Sequence, residues 1–504
     1  MRAKPTFETA QPQAIYETGE CARKETDVQK HLHEHGIPVE RYHPLNDTPR
    51  GSGSYVLYWM QRAVRTRDNH ALEAAVAEAN HANLPLLVCF ALTADYPEAN
   101  LRHFRFLAEG LRDVAAGLAR RGIAFVLRVG PPPEVVRRLA QEAAYVVTDR
   151  AYLRHLRNWR RDVATGIPVG MAEVETDIVV PVEQTSDKRE YAARTIRKKV
   201  MSRLERFLEP AAEVAPARPA SDVPSRVWDE AVDPSNPVEV CHAVSPRNDV
   251  SPVTWLFEGG EREAERRFTL FLSEAAHLYA ENRNEPATSD TSHMSAYLHF
   301  GNVSPRFLVR EMKKRAEVDG GASESLAGFV EELVVRRELA QNYVYFEPAY
   351  DSYDALPAWA RTTLSEHVTD PRPALYSTAE LEAAETHDEY WNAAMREMRA
   401  TGYMHNYMRM YWGKKILEWS RDPREAFSRV LHLNNKYFLD GRDPASYANV
   451  AWIFGLHDRA WPEREVFGKV RIMKASGLER KCDMQGYLAK VRELERRARD
   501  YAGG

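Results

Sequence analysis

The chain is predicted to fold as a doubly wound α/β parallel-sheet domain followed by an all-α domain. Three observations carry this expectation. From Ser54 to Glu175 short apolar runs alternate with amphipathic stretches; from Glu209 to Pro252 that pattern gives way to Pro, Ala, Ser and Val; beyond Thr254 nearly every segment has a helical period. The 504 residues are also more than one hydrophobic core usually serves.

Residues 1–50 are polar and bear prolines, and they show no clear period. They read as a mobile lead segment, or as one with a short helix around Val28–His35. Residues 51–186 form the α/β unit. Strands are expected at Tyr55–Trp59, Leu84–Leu92, Ile123–Val129, Ala144–Thr148 and Val169–Glu175, with helices at Asn69–Ala82, His103–Arg121, Pro132–Glu142 and Leu153–Ala164. Continuous apolar strands separated by amphipathic helices belong to a parallel sheet covered on both faces. No GxGxxG follows the first strand, so a standard dinucleotide site is not supported there.

Residues 187–254 are a linker. Its first part, 187–208, reads as one basic amphipathic helix, for which a solvated surface outweighs a nucleic-acid contact. Residues 255–504 form the helical domain. Its expected helices include Ser304–Glu317, Ser323–Tyr345, Asp388–Thr401, His405–Ser420, Pro423–Leu433 and Pro444–Ile453. Ser304-Pro305, Asp422-Pro423 and Asp443-Pro444 each set a capping side chain before a proline at the first helical position.

Composition narrows the function classes. The net charge of −4 argues against a general polyanion binder, yet residues 401–481 carry 15 Lys/Arg against 9 Asp/Glu. Such a patch suits nucleic acid at one face, or a solvated helical surface. The four cysteines, at 21, 89, 241 and 482, show no metal or disulfide spacing, so no metal site is expected. No signal peptide and no run of about 18 apolar residues is visible, so the expected setting is a reducing cytoplasm with no membrane contact.

Four segments have side chains suited to chemistry. On the helix 405–420, Trp412 and Trp419 are seven residues apart and share a face, and an antiparallel neighbour would bring Trp391 beside them. By periodicity alone, core packing is the commoner meaning of such tryptophans. Leu433-Asn434-Asn435 followed by Leu439-Asp440-Gly441-Arg442-Asp443-Pro444 reads as a loop entering a helix. It either binds a polar cofactor ring or only caps and turns. Tyr279, Arg283 and the stretch Thr288–Ser295 offer hydroxyls and backbone N–H groups to a phosphate, a weak signal alone. Glu332 is either surface charge or a carboxylate facing a cavity with a raised pKa.

Together these segments resemble the DNA photolyase/cryptochrome family, and within it the class II cyclobutane pyrimidine dimer photolyases. The matching strings are SYVLYWMQRAVRTRDNHAL (54–72), SAYLHFGNVSPR (295–306), EELVVRRELAQNYVYFEPAYDS (331–352), ETHDEYWNAAMREM (385–398), YMRMYWGKKILEW (407–419), LNNKYFLDGRDP (433–444) and REVFGKVRIM (464–473). The resemblance runs from Ser54 to about Tyr487 and makes residues 51–186 an antenna domain and 255–504 an FAD- and DNA-binding domain.

The resemblance implies a light-driven lyase that splits the dimer with no net redox change. FAD would be held by Tyr279, Thr291, Ser292, His293, Met294 and Ser295, with Arg409 and Asp440 paired beside its ring and Asn434 facing N5. Ser446 takes the place where other classes carry that asparagine. Trp412, Trp391 and Trp419 would relay electrons in that order, with Trp419 on the solvent side. Arg283, Glu332, Met410 and Trp452 would line the pocket for the flipped dimer. Arg459, Trp461 and Arg471 would contact the opened duplex. Lys414 and Lys415 read as surface charge. A second chromophore of the deazaflavin type is expected in the α/β domain. The partner is UV-damaged DNA and the protein a monomer, associated with the nucleoid if its source is bacterial or archaeal. The rivals are a cryptochrome-like photoreceptor without repair, a (6-4) photoproduct lyase using His457 or His293 as acid, and a flavoprotein that binds nucleic acid without chemistry.

Overall fold

The computed structural model describes residue 32, residues 34–320 and residues 322–503. Of the helix expected around Val28–His35, residues 28–31 and 33 lie outside the described residues. Six strands form one sheet: β1 (Tyr42–Pro44), β2 (Tyr55–Trp59), β3 (Leu86–Leu92), β4 (Ala124–Val129), β5 (Ala143–Asp149) and β6 (Met171–Val174). Their order is β1-β6-β5-β2-β3-β4, parallel except for β1, which runs antiparallel to β6.

The alternation along β2 divides two cores. Val56 and Tyr58 face the helices His70–Ala82 and Leu101–Arg120, whereas Tyr55, Leu57 and Trp59 face Pro132–Ala140 and Arg154–Gly166. Both faces are therefore apolar, as the unbroken strand run requires.

The segment without a sequence period contributes β1. Just before it, Arg41 is fully buried and donates to the carbonyls of Glu175 and Ile178 (both 3.2 Å). The linker is ordered and packed. Val223 and Val227 join one sheet core, and the helix Pro237–Val244 adds Val240, Cys241 and Val244 to the other. The single helix expected over 187–208 is two, Ala193–Met201 and Leu204–Phe207, with a turn at Ser202-Arg203. Ile196, Val200, Leu204 and Phe207 are buried in the helical domain, so only one face of this segment is solvated. Burying four such side chains is worth roughly 1.5–3 kcal/mol each, which explains why the segment does not swing free.

In the helical domain Ser304, Asp422 and Asp443 cap their helices as expected, accepting from Phe307 N (3.4 Å), Arg424 N (2.6 Å) and Ala445 N (2.9 Å). Two elements differ from expectation. The helix over 323–345 is interrupted by a wide π turn, Glu331–Arg336. The helix from Pro423 continues to Tyr437, so Asn434 and Asn435 lie in its last turns and not in a loop; Asn434 O accepts from Phe438 N (3.1 Å) to close it.

The two domains are joined by buried ions. The Asp149 carboxylate accepts backbone N–H bonds from Gln61, Arg62 and Ala63 and holds the turn after β2. From that turn Arg62 reaches Asp443 (2.9 Å) and the His299 carbonyl (3.0 Å), while Arg65 reaches Asp177 (2.6 Å) and the Gly301 carbonyl (2.9 Å). Gly301 has φ +71°, and a Cβ there would collide with the Arg62 carbonyl, so this close approach needs glycine. Neighbouring arginines hold the Asp177 and Asp443 carboxyls below their usual range.

Candidate functional site

A cavity of about 610 Å³ opens in the helical domain. Tyr279, Ser292, Met294, Ser295, Glu332, Arg409, Met410, Trp412, Asn434, Asp440, Trp452 and Arg471, all expected from the sequence, line it. Thr291 and His293 come from the same stretch but do not line the wall. Arg283 reaches the cavity only through Glu332, at 3.3 Å. Arg459 and Trp461 stand outside it, on the rim.

The inner end is built by two helices and the turn between Tyr437 and Pro444. Arg409, on the helix Asn406–Glu418, donates to Asp440 (3.0 Å) and to Met404 O (2.9 Å). Its guanidinium lies 3.8 Å from the centre of the Phe438 ring, which holds the fork flat. Asn434 donates one amide N–H to Asn435 Oδ1 (3.0 Å), leaving its other N–H and its amide oxygen for the cavity. Ser446 donates to the Asp440 carbonyl (2.9 Å) and lines the same wall. The π turn sets Glu332 at the mouth, where burial pushes its carboxyl above the ordinary value against the opposing pull of Arg336 and Arg283. A π turn shifts the register of every following side chain, and such turns gather at functional sites.

Trp412 lines the cavity, and behind it Trp391 donates its indole N–H to the Trp412 carbonyl (2.9 Å). The helix Glu389–Thr401 supplies Trp391, as the antiparallel arrangement required. Trp391 meets Trp419 edge to face with centroids 5.5 Å apart. The expectation of a solvent-side Trp419 needs correction. Trp419 is 1% exposed, because Tyr376 (5.2 Å), His387 (5.3 Å) and Lys415 (5.6 Å) lie over it. Of these covering groups His387 is the exposed one.

Lys414 also departs from expectation. It is fully buried, donates to the Ile453 carbonyl, and sits 5.1 Å from the centre of the Trp452 ring. Ile453 ends the helix Pro444–Ile453, so the ammonium meets the negative end of a helix dipole just beneath the ring. Burial lowers its pKa to about 7. Position in a helical run could not reveal this, because this helix is buried almost all round.

Three histidines near the cavity each have one buried ring nitrogen without a partner: His293 Nδ1, His405 Nε2 and His457 Nε2. Burial pushes them down to about 3, 4 and 3. His293 adopts φ +53° and turns its ring onto Tyr403 (4.8 Å). His457 lines the cavity beside Asp458.

The donor set fits a flavin dinucleotide. The volume lies within the roughly 300–1,000 Å³ of ligand sites. A paired Arg409–Asp440, an amide oxygen, hydroxyls from Ser292 and Ser295, and the unpartnered buried N–H of Trp412 all belong to side chains on one wall system. Among the described residues no group of His, Cys, Asp and Glu is arranged to hold a metal.

An α/β half joined to a helical half that encloses a large cavity defines the two-domain class of fold to which this chain belongs. Superposition agrees. A bacterial class III photolyase from Agrobacterium tumefaciens aligns with a TM-score of 0.67 over 88% of this chain and 87% of its own, at 20% identity. A Synechocystis cryptochrome aligns at 0.65 over 86% and 87%, at 17% identity. The DNA photolyase family model matches residues 56–219. A deoxyribodipyrimidine photo-lyase of Methanothermobacter thermautotrophicus is 46% identical over 91% of this chain and 99% of its own length. Those of Oryza sativa and Potorous tridactylus are 40% and 38% identical, over 90% and 86% of this chain and 90% and 81% of their own. The chain belongs to the DNA photolyase family.

Proposed function

We propose that the chain is a deoxyribodipyrimidine photo-lyase of the class II type, which splits cyclobutane pyrimidine dimers in DNA under blue or near-UV light. The observation that carries this is one cavity lined both by the Arg409–Asp440 pair with Asn434 and by Glu332, Met410 and Trp452. A cofactor wall and a substrate wall therefore face the same space. The photo-lyase relatives at up to 46% identity favour repair over a purely signalling photoreceptor.

When bound and reduced, FAD supplies one photoexcited electron to the dimer and recovers it after the ring has split. The chain's own residues set the conditions. Tyr279 and the Ser292–Ser295 segment hold the phosphate side, and Arg409 with Asp440 fixes the ring edge. Asn434, with one N–H and its oxygen free, would donate to or accept from a ring nitrogen as that nitrogen loses or gains a proton. Glu332 at the mouth would hydrogen-bond the thymine edge and stabilise the radical anion that develops there. Trp452 stacks on the flipped base, and a dimer that already stacks poorly costs least to flip. Arg459, Trp461 and Arg471 fill and hold the opened duplex. Trp412, Trp391 and Trp419 carry electrons inward to reduce resting cofactor.

A (6-4) lyase requires a protonated acid at working pH. His457 does line the cavity, but with its pKa pushed to about 3 it is neutral there. For the second chromophore, a cavity at the carboxyl ends of β2 and β3, lined by Trp59, Phe90, Tyr96 and His103, measures about 90 Å³. A deazaflavin-type antenna is proposed for this domain, with repair itself carried out by FAD. We take the protein to act as a monomer on cellular DNA, in the cytoplasm or at the nucleoid. No helix among the described residues is long and apolar enough to cross a membrane. The test is repair. Purified protein carrying reduced FAD is expected to restore dimer-containing DNA under blue light and not in darkness; dimers that persist under light would refute the reading.

A further inference from the structure

The basic stretch of the linker lies against the mouth of the cavity. Tyr191, 48% exposed, donates its hydroxyl to the Asp458 carbonyl (3.0 Å). Asp458 itself lines the cavity, and its carboxylate accepts the indole N–H of Trp461 (3.3 Å) and the backbone N–H of Arg459 (2.8 Å). One residue thus ties the linker to the rim group proposed for the opened duplex. The helix Ala193–Met201 begins two residues beyond Tyr191, and Arg197 fastens it to Glu331 in the π turn (2.7 and 2.8 Å).

The outward face of that helix carries Arg194 and Lys198, both exposed and four residues apart. The Arg194 guanidinium lies 5.9 Å from the centre of the Tyr191 ring. Among the described residues neither cation has a carboxylate partner, whereas their neighbours Arg197, Lys199 and Arg189 pair with Glu331, Glu190 and Glu347. Like charges at i and i+4 cost a helix about 0.2–0.5 kcal/mol. The apolar face opposite, with Ala193, Ile196 and Val200, is already satisfied by burial. The free charge therefore faces outward beside a DNA-binding rim, and a polyanion is the complement it lacks.

We propose that Arg194 and Lys198, anchored to the rim through Tyr191 and Asp458, form a second phosphate-contact track for the DNA strand that passes the cavity mouth. This rests on the photo-lyase reading and extends its DNA face from the C-terminal segment 459–471 to the interdomain linker. The contacts are to the backbone, so they add affinity without lesion selectivity.

The test compares wild type with the Arg194→Gln/Lys198→Gln double variant, both as full-length flavoprotein. Binding of one dimer-containing and one undamaged duplex is followed by fluorescence anisotropy across a salt series. The variant is expected to bind both duplexes more weakly by the same factor. Its plot of log affinity against log salt should flatten by about 1.8, at ~0.9 for each of the two phosphates no longer neutralised. The ratio between the duplexes and the flavin absorption spectrum should not move, and Arg194→Lys/Lys198→Arg should restore the wild-type slope. A double variant with the wild-type slope overturns the track while leaving the repair reading intact. A wild type that binds neither duplex overturns both.

Discussion

Trp391, Trp412 and Trp419 are at most 2% exposed, and Trp391 is tied to both of the others by a ring contact or an indole hydrogen bond. Trp452 and Trp461, in the same domain, are half-buried and lie under cations: Lys414 and Arg471 over Trp452, Arg459 and Arg471 over Trp461. The first group leaves the indole N–H of Trp412 and Trp419 without a partner, a cost accepted where rings must pack dry and rigid. The second group is half open to solvent and flanked by cations, the setting that base stacking and phosphate contact would use. On the proposed function the same side chain would serve electrons or nucleic acid according to solvation and neighbouring charge, and spacing along a helix does not distinguish the two.

The contrast between the two groups is widest in stability. Trp391→Ala, at a fully buried site, should cost about 3–5 kcal/mol, whereas Trp461→Ala should cost under about 1 kcal/mol and appear instead as weaker DNA binding. Chemical denaturation of both variants checks this, and similar losses would erase the distinction. Next in size, Trp412→Phe should slow photoreduction of oxidised FAD by about tenfold or more, a barrier rise of about 1.4 kcal/mol or more. Repair by pre-reduced enzyme should be spared, and unchanged photoreduction would remove Trp412 from the relay.

The histidines give a pH signature. With folded pKa values of about 3, 4 and 3 for His293, His405 and His457, the unfolded chain binds more protons below its ordinary value of ~6.5. Stability is therefore retained above pH ~6.5 and lost as pH falls toward 3–4, by at most about 1.4 kcal/mol per pH unit for each group. His457→Gln should flatten that acid limb in urea titrations. Lys414 gives a signature on the alkaline side. Its folded pKa of about 7 lies below the ordinary lysine value of 10.5, so the unfolded chain holds the extra proton between them and stability rises with pH across that window. Lys414→Met should remove this rise and loosen Trp452, seen as weaker binding of dimer over undamaged DNA.

Much of this architecture was legible in the sequence. The parallel strands announce themselves because both faces are buried, and the proline-preceded caps at Ser304, Asp422 and Asp443 mark helix starts by their own hydrogen bonds. What stayed hidden depends on partners far along the chain. β1 is three residues, one of them proline, and exists because β6 pairs with it. The helix through Asn434 survives two poor helix formers because Val430 and Leu433 are buried beneath it. The π turn is a one-residue slip that no period reveals. Lys414 needed the position of Ile453. The residues proposed for cofactor and substrate were readable as motifs, and most of them share one cavity, but that Trp419 is covered and His457 faces the cavity followed only from packing.

The ion lattice between the domains has a consequence for synthesis. Arg62 emerges early from the ribosome, while its partner Asp443 lies 381 residues later. An N-terminal domain that folds first therefore waits with the Arg62 guanidinium facing a surface still being made, whereas Arg65 already has Asp177 beside it. The late carboxylate that completes Arg62 is the cap of the helix Pro444–Ile453, which carries Trp452. Docking of the halves and completion of the substrate wall are consequently one late event, and a nascent chain stopped short of Asp443 has neither.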